Sequence, residues 1–288
     1  MNTQRIYIPG DHWLYYKIYC GARTADTILT NTLKPITEEL INQEIISKWF
    51  FIRYNDPDFH LRIRFYVNNT KDSIEVIQRI QRALQFYVKN DIVHTVQLDT
   101  YKREFERYGT NTIDASEVLF YHESHMLISV IEIVENEELY FLFVLRAIDR
   151  LLESFDFDLE HKLRFALMNM EAYKTEFEAN TLLNKQLDKK YRHLRQQIEL
   201  FVTPNPLPSD YVMLDQLLDH KHQNTKKELA YIKACNTDST MQMSLDNLIS
   251  SYIHMLVNRA FRSRQRFYEL VCYDFLTKFY KSKQYKHV

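Results

Sequence analysis

Along the first hundred residues the period of apolar and polar positions changes several times. Trp13 to Cys20 (WLYYKIYC) reads as a strand. Ala25 to Lys48 has helical period and is interrupted near Pro35. Trp49 to Asn55 (WFFIRYN) and Leu61 to Val67 (LRIRFYV) read as two strands joined by a turn through Asp56, Pro57 and Asp58. Ser73 is placed to cap a helix running to about Asn90, with Ile74, Ile77, Ile80 and Leu84 as its apolar stripe. Ile92 to Tyr101 reads as a further strand. The order strand, helix, strand, strand, helix, strand predicts an α+β layer with a partly antiparallel sheet.

After Asp114 the pattern turns almost wholly helical. It predicts helices near 115–135, 138–154, 158–176, 179–202, 212–234, 243–262 and 264–281. The clearest break is Thr203 to Ser209, which holds Pro204, Pro206 and Pro208; Asn236 to Thr240 is a second. No internal repeat or low-complexity segment stands out. The expected fold class is therefore α+β: an N-terminal mixed or antiparallel sheet with packed helices, then a mainly helical C-terminal half. Length alone allows one large domain or two small ones. The expectation is a single domain over 1–288, with a sheet portion at 1–113 and a helical portion at 114–288.

Composition narrows the chemistry more than the fold. A net charge of -1 with pI near 6.8 argues against a general polyanion binder, so no direct nucleic-acid partner is expected. No apolar run approaches the length of a membrane span, and the N-terminus lacks a signal pattern. Cys20, Cys235 and Cys272 are odd in number and far apart, which fits a reducing cytoplasm. Only 3 glycines are present, which removes Gly-rich phosphate cradles. The 20 Tyr and 18 Phe read mostly as core.

The segment from Trp49 to Phe65 carries the most candidate chemistry. Side chains two apart on a strand share a face, so His60, Arg62 and Arg64 line up while Leu61, Ile63 and Phe65 point to the core. On the preceding strand Arg53 shares a face with Phe51 and Asn55. If the strands pair, three guanidinium groups and an imidazole gather on one surface. The alternation itself does not decide between a solvated sheet face with acidic partners and an oxyanion or carboxylate clamp. Guanidinium suits the clamp because it stays charged and offers a planar fork. A second charged block, Tyr101 to Gly109, places Arg103 and Arg107 either in self-paired charges or at the edge of the same pocket. A third, Ser251 to Phe261, puts His254 and Asn258 four apart on one helix face. That histidine reads either as a hydrogen-bonded structural residue or as a proton shuttle near neutral pH. His122 and His125 do not have the HExxH spacing, and His220 with His222 reads as an exposed helix end.

In order, WLYYKIYC, WFFIRYNDPDFHLRIRF, QLDTYKREFERYG and SYIHMLVNRAF resemble the C-terminal elimination domain of lantibiotic dehydratases, which also occurs as separate thiopeptide-biosynthesis proteins. The resemblance runs from about Trp13 to Phe261. It implies removal of glutamate from glutamylated Ser or Thr of a ribosomally made precursor peptide, leaving dehydroalanine or dehydrobutyrine. It implies two partners: that precursor peptide, leader and core, and a separate glutamyl-tRNA-dependent glutamylation protein. A homodimer is left open. No metal or organic cofactor is implied. The family's histidine matches His254. Its arginines match Arg62 or Arg64 in the HLRIR strand, and Arg23 after the first strand. Arg53, His60, Arg103, Arg107 and Asn258 are the expected substrate-binding residues. Two alternatives remain: a [4+2] pyridine synthase of thiopeptide macrocyclisation, and a non-catalytic subunit that binds the leader peptide.

Overall fold

A computed structural model describes residues 3–203 and 206–284. Pro204 and Asn205 of the expected Pro-rich break lie outside the described residues. The chain forms two compact units. The first holds the chain up to Ile133 together with Asn224–Ser244; the second holds Val134–Gln223 and the chain from Leu245 onward.

In the first unit the elements run β1 (Ile6–Tyr7), β2 (Trp13–Cys20), α1 (Ala22–Thr27), a π-helical stretch Ile28–Leu33, α2 (Lys34–Asn42), β3 (Ile46–Asn55) and β4 (Phe59–Val67). A 3-10 turn Thr70–Asp72, α3 (Ser73–Lys89), β5 (Val93–Asp99), β6 (Tyr101–Lys102), α4 (Phe105–Tyr108) and α5 (Ile113–Ile133) follow. Four strands form one sheet in the order β3-β4-β2-β5, and every neighbouring pair is antiparallel. This is the strand order of a split βαββαβ unit. The short β1, absent from the sequence pattern, pairs with β6.

Period-two alternation gives the sheet two different faces. Leu14, Tyr16 and Ile18 of β2, Trp49 and Phe51 of β3, and Leu61, Ile63 and Phe65 of β4 are buried on one face. They join a core completed by Ile28, Leu29 and Leu33 of the π-helical stretch and by Val76, Ile80 and Leu84 of α3. Burying each such large side chain contributes about 1.5–3 kcal/mol, and this face anchors the strands whose other face carries the charge. Helix α5 lies along β3: the Ser124 hydroxyl accepts from the Phe51 N–H at 3.3 Å, and Phe120 packs on Phe50 at 5.4 Å between ring centres. A helix over an outer strand occupies edge groups that would otherwise invite another strand.

Three local expectations change. Pro35 does not interrupt the helix; it sits in the first turn of α2, just after the π-helical stretch, where a missing N–H is tolerated. Ser73 is the first residue of α3 and not its cap; the preceding turn is capped by Asn69, which accepts from the Lys71 N–H. The buried stripe of α3 is Ser73, Val76, Ile80 and Leu84. Ile74 stands about 100° round the helix from Ser73 and is exposed.

The second unit contains α6 (Glu137–Ser154), α7 (Leu159–Glu176), α8 (Thr181–Val202), a 3-10 turn Ser209–Tyr211, the first half of α9 (Val212–Thr237), α10 (Leu245–Ala260) and α11 (Gln265–Gln284). The remainder of α9, from Asn224, is counted with the first unit. Polar caps fix the starts of α6, α7 and α8. Asn136 accepts from the N–H groups of Glu138 and Leu139, Asp158 from that of His161, and Asn180 from that of Leu183. Each such cap is worth about 1 kcal/mol. Two buried cations here are ion-paired: Arg146 with Asp215, and Lys162 with Asp149, which also accepts from the Tyr280 hydroxyl at 2.6 Å. His220 and His222, expected at an exposed helix end, lie inside α9, because the helix runs on to Thr237; His222 is within 3.1 Å of the Ser154 hydroxyl. No helix of the described residues is long and apolar enough to cross a membrane.

Candidate functional site

The hairpin register decides which charges share a surface. Residues directly opposite in an antiparallel pair project to the same side. Arg64 is flanked by Tyr15 and Phe50, Arg62 by Lys17 and Ile52, and His60 by Tyr19 and Tyr54. All of these face away from the core side of the sheet. Arg53 is opposite Leu61, so it falls on the core side, where its guanidinium meets Asp26 at 2.5 Å. The expected gathering of three guanidinium groups with His60 is therefore reduced to Arg62 and Arg64. Periodicity along each strand separates its own two faces; only the pairing between strands tells which faces coincide.

Arg64 is the most unusual group on this surface. Its relative exposure is 8%, yet it forms no ion pair, and its Nε is buried with no hydrogen-bond partner among the described residues. The guanidinium carbon instead packs over three rings, 4.5 Å from the centre of Tyr15, 4.7 Å from Tyr101 and 5.2 Å from Phe50. Ring faces partly stabilise a desolvated cation, at about 0.5–2 kcal/mol each, but leave it able to accept an anion. Burial keeps the Tyr15 phenol above its ordinary range despite the opposing pull of Arg64, so this wall stays neutral.

Arg62 is half-buried, with its guanidinium carbon 3.3 Å from the ring centre of Tyr54. Its Nε donates to His60 Nε2 at 3.1 Å. That bond requires a lone pair on Nε2, so His60 is neutral and its Nδ1–H points at the Asp58 carbonyl, 2.8 Å away. Burial lowers the His60 pKa below the ordinary 6.5; the Asp58 carbonyl opposes this, and nearby Arg62 and Lys17 add to it. Lys17 is tied to Asp99, and that hydrogen bond holds the Asp99 carboxyl below its usual range.

The other expected residues of this unit stand elsewhere. Arg103 is committed to Glu117, with Nε to Oε1 at 2.8 Å and Nη2 to Oε2 at 2.6 Å, and it also reaches Asp114. Glu117 is fully buried and further served by the Tyr101 hydroxyl at 3.0 Å. Arg103 lines a cavity of about 650 Å³ with Gln4, Tyr7, Lys48, Tyr66 and Tyr121. Arg107 is exposed and paired with Glu104 at 3.1 Å. Arg23 is exposed on α1 and makes no ion pair among the described residues.

In the second unit, α10 presents a half-buried His254, with Asn258 one turn further on. His254 Nδ1 is 2.7 Å from Glu269 Oε1, on α11. Glu269 is 1% exposed; its Oε2 accepts from the Tyr173 hydroxyl of α7. Arg266 donates to the same hydroxyl at 2.7 Å and pairs with Glu176. Burial and the adjacent Glu269 raise the Tyr173 pKa, so the phenol stays protonated and acts as a donor. Sequence reasoning missed Glu269 and Tyr173. The available signal was an acid set in an aromatic-apolar helix, RFYELVCYDF, at a position whose neighbours are core.

Among the described residues no group of three or more His, Cys, Asp or Glu is placed to hold a metal ion. Over residues 13–280 the sequence matches the family described as lantibiotic biosynthesis dehydratase, C-terminal. It is 26% identical over 184 residues to the subtilin biosynthesis protein SpaB of Bacillus subtilis, which is 61% of this chain and 18% of that protein. Among solved structures it resembles the tRNA-dependent lantibiotic dehydratase MibB from Microbispora sp. 107891, with a TM-score of 0.69 at 18% identity over 96% of this chain and 29% of that one. It also resembles the pyridine synthase TbtD from thiomuracin biosynthesis, with a TM-score of 0.67 at 12% identity over 94% of this chain and 100% of that one. The chain spans 13 to 22% of the length of the curated relatives it matches.

Proposed function

Since this chain belongs to the lantibiotic dehydratase C-terminal family, we propose that it eliminates glutamate from glutamylated Ser or Thr in a precursor peptide, leaving a dehydroamino acid. The observation that carries this reading is Arg64, a buried guanidinium that has no carboxylate partner among the described residues, while Arg53, Arg103, Arg146 and Lys162 each have one. A desolvated cation without a partner is stabilised when an anion arrives, and the proposed reaction brings two anions: the departing carboxylate, and the charge that builds on the peptide carbonyl oxygen as the α-proton leaves. A fixed donor aimed at such developing charge is worth about 2.7–4 kcal/mol in comparable sites. Arg62, stacked on Tyr54, is assigned to hold the glutamyl ester in place. His254 is assigned to proton transfer. Arg103 and Arg53, already held by Glu117 and Asp26, act through the framework. On this reading the peptide arrives already esterified by a separate glutamylating protein.

The test is incubation of the chain with a peptide carrying a preformed glutamyl ester on Ser, followed by mass spectrometry. Elimination predicts loss of the glutamyl mass plus water, with free glutamate in solution. A second reading is formation of a pyridine ring by cycloaddition, favoured by the full-length coverage of TbtD. It predicts an intact ester and, instead, conversion of a bis-dehydroalanine peptide.

A further inference from the structure

We infer that Glu269 is the positioning residue that fixes the tautomer of His254, so that Nε2 is the atom that takes the α-proton. The inference rests on the elimination reading for the step itself, and on the second unit's geometry for the arrangement. An imidazole can carry its proton on either nitrogen, and the hydrogen bond made by one nitrogen decides the state of the other. Glu269 Oε1 lies 2.7 Å from Nδ1, a distance at which an ionised carboxylate accepts from an N–H. Nδ1 is then the protonated atom and Nε2 keeps its lone pair. Glu269 cannot turn away easily. It is 1% exposed, and its second oxygen is engaged by the Tyr173 hydroxyl, itself held by Arg266 Nη1. The other charges around the pair are Arg266, 3.8 Å from Glu269 Oε1, and Glu176, which neutralises Arg266 from α7.

In the step, Nε2 accepts the α-proton. The C–H electron pair becomes the second Cα–Cβ bond. The Cβ–O bond breaks, and its electrons leave on the ester oxygen as the glutamate carboxylate. The ring, now an imidazolium with N–H on both nitrogens, passes the proton to solvent. Glu269 faces the positive charge as it appears, the role that the buried acid plays behind the histidine of a catalytic triad.

The experiment combines 15N NMR of the His254 ring in the full chain with elimination kinetics of the Glu269→Gln and Tyr173→Phe variants on a preformed ester peptide. The wild type should show Nδ1 protonated and Nε2 unprotonated when the ring is neutral. Glu269→Gln, which keeps the shape but can offer either an oxygen or an NH2 group to Nδ1, should populate the other tautomer and lower kcat about tenfold or more, with KM little changed. Tyr173→Phe should fall between the variant and the wild type. A wild-type ring protonated on Nε2, or a Glu269→Gln variant with unchanged tautomer and unchanged kcat, overturns the inference. If the wild type leaves the ester intact, the elimination reading falls, while the NMR result still decides whether Glu269 holds the ring.

Discussion

A guanidinium's partners separate framework from function in the first unit. Arg103 is held by both oxygens of a fully buried Glu117. Arg103→Ala strands that carboxylate, and the expected loss is about 3–5 kcal/mol of stability, read as a lowered urea midpoint. Among the described residues Arg64→Ala strands no carboxylate; it removes ring contacts and a buried cation. Its urea midpoint should fall clearly less than that of Arg103→Ala. His60 supplies a pH dependence. Its folded pKa lies below the ordinary 6.5, so near that pH the folded chain binds fewer protons than the unfolded one. The contribution of neutral His60 is complete above pH 6.5 and is lost as pH falls toward the lowered folded value. Protonation also removes the lone pair to which Arg62 donates. His60→Gln, which does not titrate, should flatten the decline in urea midpoint between about pH 7.5 and 5.5; an equally steep decline in the variant would assign it to another group. At this scale the sequence showed which residues alternate, and the buried row Leu61, Ile63 and Phe65 follows from it. It did not show that Arg53 pairs across from Leu61, because register lies in the hairpin and not in either strand alone.

Elements were legible where their apolar period was strong. The strand Trp13–Cys20 and the helices from α5 to α11 lie within a few residues of their expected bounds. Less legible were features set by contacts distant in the chain: the two-residue β1, which exists only by pairing with β6, and the closing of the β3 edge by α5. That closure makes a testable contribution. Ser124→Ala removes the hydroxyl that accepts from the buried Phe51 N–H, and the expected cost is about 0.5–1.5 kcal/mol in chemical unfolding. No change in the midpoint would mean that ring packing between Phe50 and Phe120 alone holds the helix there. The same limit hid Glu269. Its meaning depends on α10, α11 and α7 meeting, and no window of sequence contains all three.

For the whole molecule, the family was readable from four short blocks and the α+β class from the change of period along the chain; the match over residues 13–280 bears out the first, and the antiparallel sheet followed by helices the second. The chemistry of the site was readable only as residue types. His60, Arg62 and Arg64 do share a face, as alternation predicts, but that Arg64 has no carboxylate partner among the described residues emerges only from the folded chain. The most direct measurement is the initial rate of glutamate release from a preformed glutamyl-serine peptide by the wild-type chain and by Arg64→Ala, both checked for intact fold. The account predicts release by the wild type and a fall of about a hundredfold or more in the variant, the cost of losing one preorganised donor. Equal rates for the two, with Arg64 gone, would contradict it.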